Sequence, residues 1–196
     1  MHAALAGRTG ADAENAADRA LDWHSCRAIN RAIYDEMSAM DNEFQIELFL
    51  QADYRFEVHF AKPSIPVLIT DEEAPLGADA GPSPTQLLGA AVANCLAASL
   101  AFSLRKFKNE PGALRARATV RQGRNEQKRV RIVHIGVDLH LPMLAAQVLM
   151  LDRILSQFED FCIVTQSVRA GIPIEVRVVD RAGAVLIPSG NAAPRA

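Results

Sequence analysis

The spacing of hydrophobic positions changes several times along the chain, and each change marks an element. Between residues 12 and 40, Ile29, Ala32, Ile33, Met37 and Met40 fall on one face with charge elsewhere, which predicts a helical segment. From Phe44 the period becomes two. Phe44, Ile46, Leu48 and Leu50 alternate with polar positions, and Gln51-Ala52-Asp53 suits a turn. Tyr54, Phe56, Val58 and Phe60 then alternate with Arg55, Glu57 and His59, so the pair predicts an antiparallel hairpin with one wet face. Pro63 and Pro66 bracket a short strand near Val67 to Thr70, and residues 71–82 form an acidic loop rich in Gly and Pro.

Ser83-Pro84-Thr85-Gln86 is a helix start. Ser caps, Pro suits the first helical position, and Gln three residues after Ser completes a capping box. The helix is predicted to run to about Phe107, where Arg105, Lys106 and Lys108 meet the negative end of its dipole and Pro111-Gly112 stops it. A second hairpin follows. Leu114, Ala116, Ala118 and Val120 alternate with Arg115, Arg117 and Arg121, and after a Gly123-Arg124-Asn125 turn the alternation resumes from Val133 to Leu141. Pro142 is predicted to open a helix with Leu144, Val148, Leu151, Leu155 and Phe158 as its stripe. A shorter helix runs from Cys162 to Gly171, and a last strand spans Pro173 to Val179. The order is hairpin, apolar helix, hairpin, helices, strand, which is an α+β class and not an alternating βαβ series. The domain organisation expected is a helical extension over 1–42, one domain over 43–187 and a loose tail over 188–196.

Of the 196 residues, 49% are hydrophobic and 22% charged, which excludes a chain disordered throughout. The formal charge is −2, so no global basic field exists and nucleic acid is not an expected partner. Leu87 to Leu104 is almost long and apolar enough to span a membrane. Its Asn94, Ser99 and Ser103 fit a helix buried on nearly every face of a soluble core better, and no membrane partner is expected. Three cysteines are too few for a disulfide scaffold, and residues 1–20 lack the order of a secretory signal. A cytoplasmic protein with reduced thiols is expected.

Phosphate loops, HExxH, paired CxxC and nucleophile elbows are all missing from the sequence. Cys26, near His24, makes a poor metal site without further ligands, and no metal is expected. The acidic residues Asp71, Glu72 and Glu73 are expected to rim a pocket. Cys95 lies mid-helix in Ala-Asn-Cys-Leu-Ala, either as a small core residue or as a nucleophile. Cys162 lies at a helix start, where backbone N–H groups and the dipole favour a thiolate. The arginine row on the second hairpin is either an anion patch or a solvated strand face.

Two spaced stretches resemble one known family. Asp71-Glu72-Glu73-Ala74-Pro75-Leu76-Gly77, then Gly81-Pro82-Ser83-Pro84-Thr85-Gln86-Leu87-Leu88, then Ala93-Asn94-Cys95-Leu96 are similar to the acidic loop and cysteine helix of the OsmC/Ohr family. Cys162-Ile163-Val164-Thr165 resembles that family's second cysteine signature, and the likeness covers roughly 43–180. It implies two antiparallel sheets wrapped around central cysteine-bearing helices in an intertwined homodimer. It also implies a thiol peroxidase that reduces organic hydroperoxides, and in some members hydrogen peroxide. Cys95 is then the peroxidatic thiol and Cys162 resolves its sulfenic acid. An external dithiol is the expected reductant, and no bound cofactor is needed. The best-known members place a Glu near the helix start to orient an Arg that activates the thiolate. Here Thr85 and Gln86 occupy that stretch, the loop 71–83 lacks Arg, and Arg55 is the nearest substitute. The alternative reading is a non-catalytic dimeric module that binds a hydrophobic small molecule in the same pocket.

Overall fold

The computed structural model describes residues 43–187; the expected helical segment with Cys26 and the tail 188–196 lie outside the described residues. Strands β1 (Ile46–Ala52), β2 (Arg55–Phe60) and β3 (Leu68–Thr70) form one antiparallel sheet in that order. Its first hairpin turns at Asp53, whose φ of 45° is the left-handed conformation that Asp tolerates in turns. Leu48 pairs with Val58 and Leu50 with Phe56, so the alternating apolar positions share one face, as the period predicts.

Helix α1 (Pro84–Lys106) starts at the expected capping box. The Ser83 hydroxyl accepts the Gln86 N–H, and the Gln86 side-chain oxygen accepts the Ser83 N–H at 2.9 Å. Val92, Leu96, Leu100 and Leu104 recur at helical spacing and are completely buried. They pack with Ile135, Val137 and Leu139 of the second sheet. Ala90, Ala91, Asn94 and Ala98, on the other side of the helix, are exposed in the single chain. α1 is, by length and composition, apolar enough to cross a membrane. Its buried side is engaged with the core of this fold.

The second sheet holds β4 (Arg115–Arg124), β5 (Val130–His140), β6 (Ile174–Val179) and β7 (Val185–Ile187) in that order. It is not antiparallel throughout, although the family resemblance implied two antiparallel sheets. β5 and β6 run parallel because the chain crosses over between them through helical segments. The single helix expected from Pro142 is also replaced. A 3₁₀ turn at Ala145–Gln147 is followed by a separate helix α2 (Leu151–Gln157), with Met150 left-handed between them. Side chains distant in sequence hold the break. Asn109 donates to the Leu149 carbonyl at 3.0 Å and accepts the Leu149 N–H at 2.8 Å, while Asp180 accepts the Ala145 N–H at 3.0 Å. These bonds satisfy backbone groups that a continuous helix would have used itself. A second 3₁₀ turn (Phe158–Phe161) leads into α3 (Ile163–Val168).

Candidate thiol site

The segment between β5 and β6 carries Cys162 to the side of α1. Ile154 and Phe158 are fully buried in the core, and Phe161, one residue before the cysteine, makes an edge contact with Phe102 of α1 at 6.4 Å. Arg169 and Glu159 form an ion pair that ties the end of α3 back to the turn before it. Gln166 adds a bond to the Glu159 carbonyl at 3.0 Å.

Cys162 is the N-cap of α3 and is completely buried. Its Sγ–H donates to the Thr165 hydroxyl at 2.9 Å, and its sulfur accepts the Thr165 N–H at 3.4 Å. Cys95, half-buried on α1, lies within hydrogen-bonding reach of it. Burial pushes the Cys162 thiol up, and Cys95 reinforces that rise; the two Thr165 bonds oppose it. The helix start alone had suggested a favoured thiolate. The structure corrects this, because a three-residue capping contact cannot offset the loss of water around a buried sulfur. Thr165 is the member of the site that sequence reasoning missed. Its signal was present in the three-residue spacing from an N-cap.

The two cysteines are within reach of one another, and Arg55 lies on the first sheet. Arg55 is exposed at the start of β2, and its charge is felt by Asp71. No cation is among the groups that set the acidity of Cys162. Asp71 is itself no rim residue. It is buried, and its carboxylate accepts the N–H groups of Glu72, Ala78 and Ala80 at 2.9–3.1 Å. Those bonds hold its carboxyl below the usual range, the Ala80 bond most of all. Gly77 is required in this loop, since a Cβ there would lie 2.2 Å from the Glu72 carbonyl oxygen. Glu73 does reach a rim. It accepts from the Gln86 side chain at 3.3 Å and lines an open groove of about 560 Å³. The groove runs between Gly89, Ala90 and Ala93 of α1 and Ala116, Ala118 and Val120 of β4, and neither thiol lines it.

The site is thus two free cysteines within reach of one another, one on a long apolar helix and one at the start of a short one, in an α+β fold. Comparison with known proteins identifies it. The family model for OsmC-like proteins matches residues 77–177, and the chain belongs to that family. No curated protein matches the chain in sequence. Solved structures share the fold. An OsmC-like protein of unknown function from Vibrio cholerae is 11% identical, with a TM-score of 0.59 over 70% of this chain and 99% of that one. An OsmC-like protein from Mycoplasma pneumoniae is 16% identical, with a TM-score of 0.58 over 72% and 99%. The organic hydroperoxide resistance protein OhrB of Bacillus subtilis is 13% identical, with a TM-score of 0.54 over 70% and 98%.

Proposed function

We propose that this protein is a thiol-dependent peroxidase of organic hydroperoxides, acting as a homodimer in the cytoplasm and drawing electrons from an external dithiol. The observation that carries the reading is the meeting of Cys95 and Cys162 in the fold, 67 residues apart in sequence and within reach of one another. The likeness to a hydroperoxide resistance protein supports the choice of substrate. The Cys95 thiolate attacks the terminal peroxide oxygen. The O–O bond breaks, the alkoxide leaves and takes up a proton as the alcohol, and Cys95 becomes a sulfenic acid. The Cys162 sulfur then attacks the Cys95 sulfur, forming the disulfide. The S–O bond breaks, and the hydroxide leaves as water with the Cys162 proton. An external dithiol reduces the disulfide by exchange and is itself oxidised to its disulfide. A protonated, buried Cys162 suits the second role, because it holds the proton that the departing oxygen takes. Thr85 and Gln86 stand where the best-known members place their Glu, and the loop 71–83 holds no Arg, so a slow first step is expected.

The dimer rests on surfaces that one chain leaves in water. Ile46, Leu48 and Leu50 on the apolar face of the first sheet are 44%, 57% and 60% exposed. The small residues of α1 opposite its buried stripe are exposed as well. Apolar surface of that extent marks an association site.

The second reading is a non-catalytic binder of a hydrophobic small molecule, and the small-residue groove between α1 and β4 favours it. One experiment separates the two. Consumption of cumene hydroperoxide is followed in excess dithiothreitol. The wild type turns over, Cys95→Ser is inactive, and Cys162→Ser, oxidised without dithiothreitol, gives one turnover with a sulfenic acid trapped on Cys95. Full activity in Cys95→Ser overturns the peroxidase reading, and an inactive wild type leaves the binder.

A further inference from the structure

We infer that the outer face and tip of the β4–β5 ribbon bind the phosphodiester backbone of a nucleic-acid duplex without reading its sequence. Residues 115–140 hold seven of the chain's Lys and Arg but only two of its acids, Glu126 and Asp138. Their formal charge is +5 in a chain whose total is −2. A whole-chain balance conceals this, because the remaining residues are acidic in sum.

The strand pairing gathers that charge on one face. Arg115 pairs with His140, Arg117 with Asp138 and Arg121 with His134, while Ile135, Val137 and Leu139 turn inward to the core. Successive residues on one face of a strand lie about 6.8 Å apart, so the three arginines span roughly 20 Å. Asp138 is already engaged. It receives two bonds from Arg177 of the neighbouring strand, at 2.6 and 2.8 Å. Among the described residues, Arg115, Arg117 and Arg121 form no ion pair and all three are exposed. At the tip, Arg124 and Arg131 each bond a backbone carbonyl, and Lys128 and Arg129 stand exposed beside them.

Three observations choose the occupant. First, β6 pairs with β5 only from Ile135 onward, so Arg121–His134 extends past the third strand as a two-stranded ribbon. Such a ribbon fits the major groove of B-form DNA, and the arginine row can follow the phosphates of either a DNA or an RNA duplex. Second, six of the seven cations are Arg, whose planar fork suits phosphate oxygens. Third, the row from Arg115 to Arg121 and its partners on β5 offers only Thr119 and Gly136 between polar groups. A docked protein would need an apolar centre there, and a single strand would need aromatic stacking platforms, yet residues 115–140 contain no Phe, Tyr or Trp.

The test is fluorescence anisotropy with labelled 20-base-pair DNA and RNA duplexes of arbitrary sequence, using the full chain. Binding to either duplex at 50 mM salt is expected. If four phosphates are neutralised, affinity should fall about 100-fold between 50 and 200 mM salt. The variant R115E/R117E/R121E should lose at least tenfold in affinity while keeping its circular dichroism spectrum. Should it fail to fold, the tip variant K128E/R129E/R131E serves instead, with the same expected loss. No binding to either duplex at 50 mM salt overturns the inference, as does full affinity in a folded variant. Displacement of the duplex by polyglutamate at equal charge overturns it in favour of an acidic protein, and preference for phosphatidylglycerol vesicles does so in favour of a membrane surface.

Discussion

The Cys162 sulfur and Thr165 are joined twice, once through the hydroxyl at 2.9 Å and once through the backbone N–H at 3.4 Å. When the thiol is protonated it donates to the hydroxyl. When it ionises, the hydroxyl reverses and donates to the sulfur, so Thr165 favours the thiolate against burial. Thr165→Val keeps the shape and removes that donor. A hydrogen bond to a charged group is worth about 1.5–3 kcal/mol. Alkylation of Cys162 by iodoacetamide at fixed pH should therefore slow by about tenfold or more. Mass spectrometry of the Cys162 peptide reads the rate, and an unchanged rate would mean that the backbone N–H alone holds the sulfur.

The acidic loop should be acid-sensitive through one residue. Asp71 has its folded-state acidity strengthened by three backbone donors, so it stabilises the fold above the ordinary carboxylate value of 3.8. That contribution disappears as pH falls through the lower folded value. Asp71→Asn should unfold at lower urea than wild type at pH 7, and the gap should narrow toward pH 3. A gap that stays constant with pH would show that the carboxylate charge is not what holds the loop.

Much of this architecture is legible in the chain. The period-two runs gave the first hairpin with its turn at Asp53, and the Ser83–Gln86 capping box placed the start of α1 at Pro84. The break after Pro142 was hidden because it depends on Asn109 and Asp180, which lie 40 and 35 residues from the backbone groups they hold. β7 has only three residues and no period to read. At the site, both cysteine positions are visible in their motifs, while the weakened acidity of Cys162 depends on its depth in the fold. Asp71 reads as one more loop acid until the backbone wraps it.

Close packing between α1 and β4 should be sensitive at Gly89. A Cβ there would stand 2.6 Å from Cγ2 of Val120, a side chain that β-branching keeps stiff. In an open helix Gly→Ala gains about 1 kcal/mol. Here overpacking costs about 1–3 kcal/mol, so Gly89→Ala should be neutral to destabilising. The double variant Gly89→Ala/Val120→Ala removes the clash and should regain stability relative to the sum of the single changes. Urea midpoints of the four proteins close the cycle, and strict additivity would mean that the two positions do not touch.

The proposed dimer makes a sharper demand on the first sheet. Leu48 and Leu50 pair with Val58 and Phe56, so all four lie on one face, and the two leucines remain more than half exposed in the single chain. A solvated strand face would tolerate charge at those positions. A face covered by a second copy would not, since each buried leucine side chain is worth about 1.5–3 kcal/mol and an unpaired carboxylate in its place is costly. Leu48→Glu/Leu50→Glu should therefore shift the protein from dimer to monomer in sedimentation equilibrium, by about 3 kcal/mol or more per protomer. The β1–β2 ladder needs no side chain at these positions, so the sheet signal in circular dichroism should persist. A variant that sediments as the wild type does would remove the first sheet from the dimer interface. It would leave the exposed small-residue face of α1, around Ala91, Asn94 and Ala98, as the surface on which two copies meet.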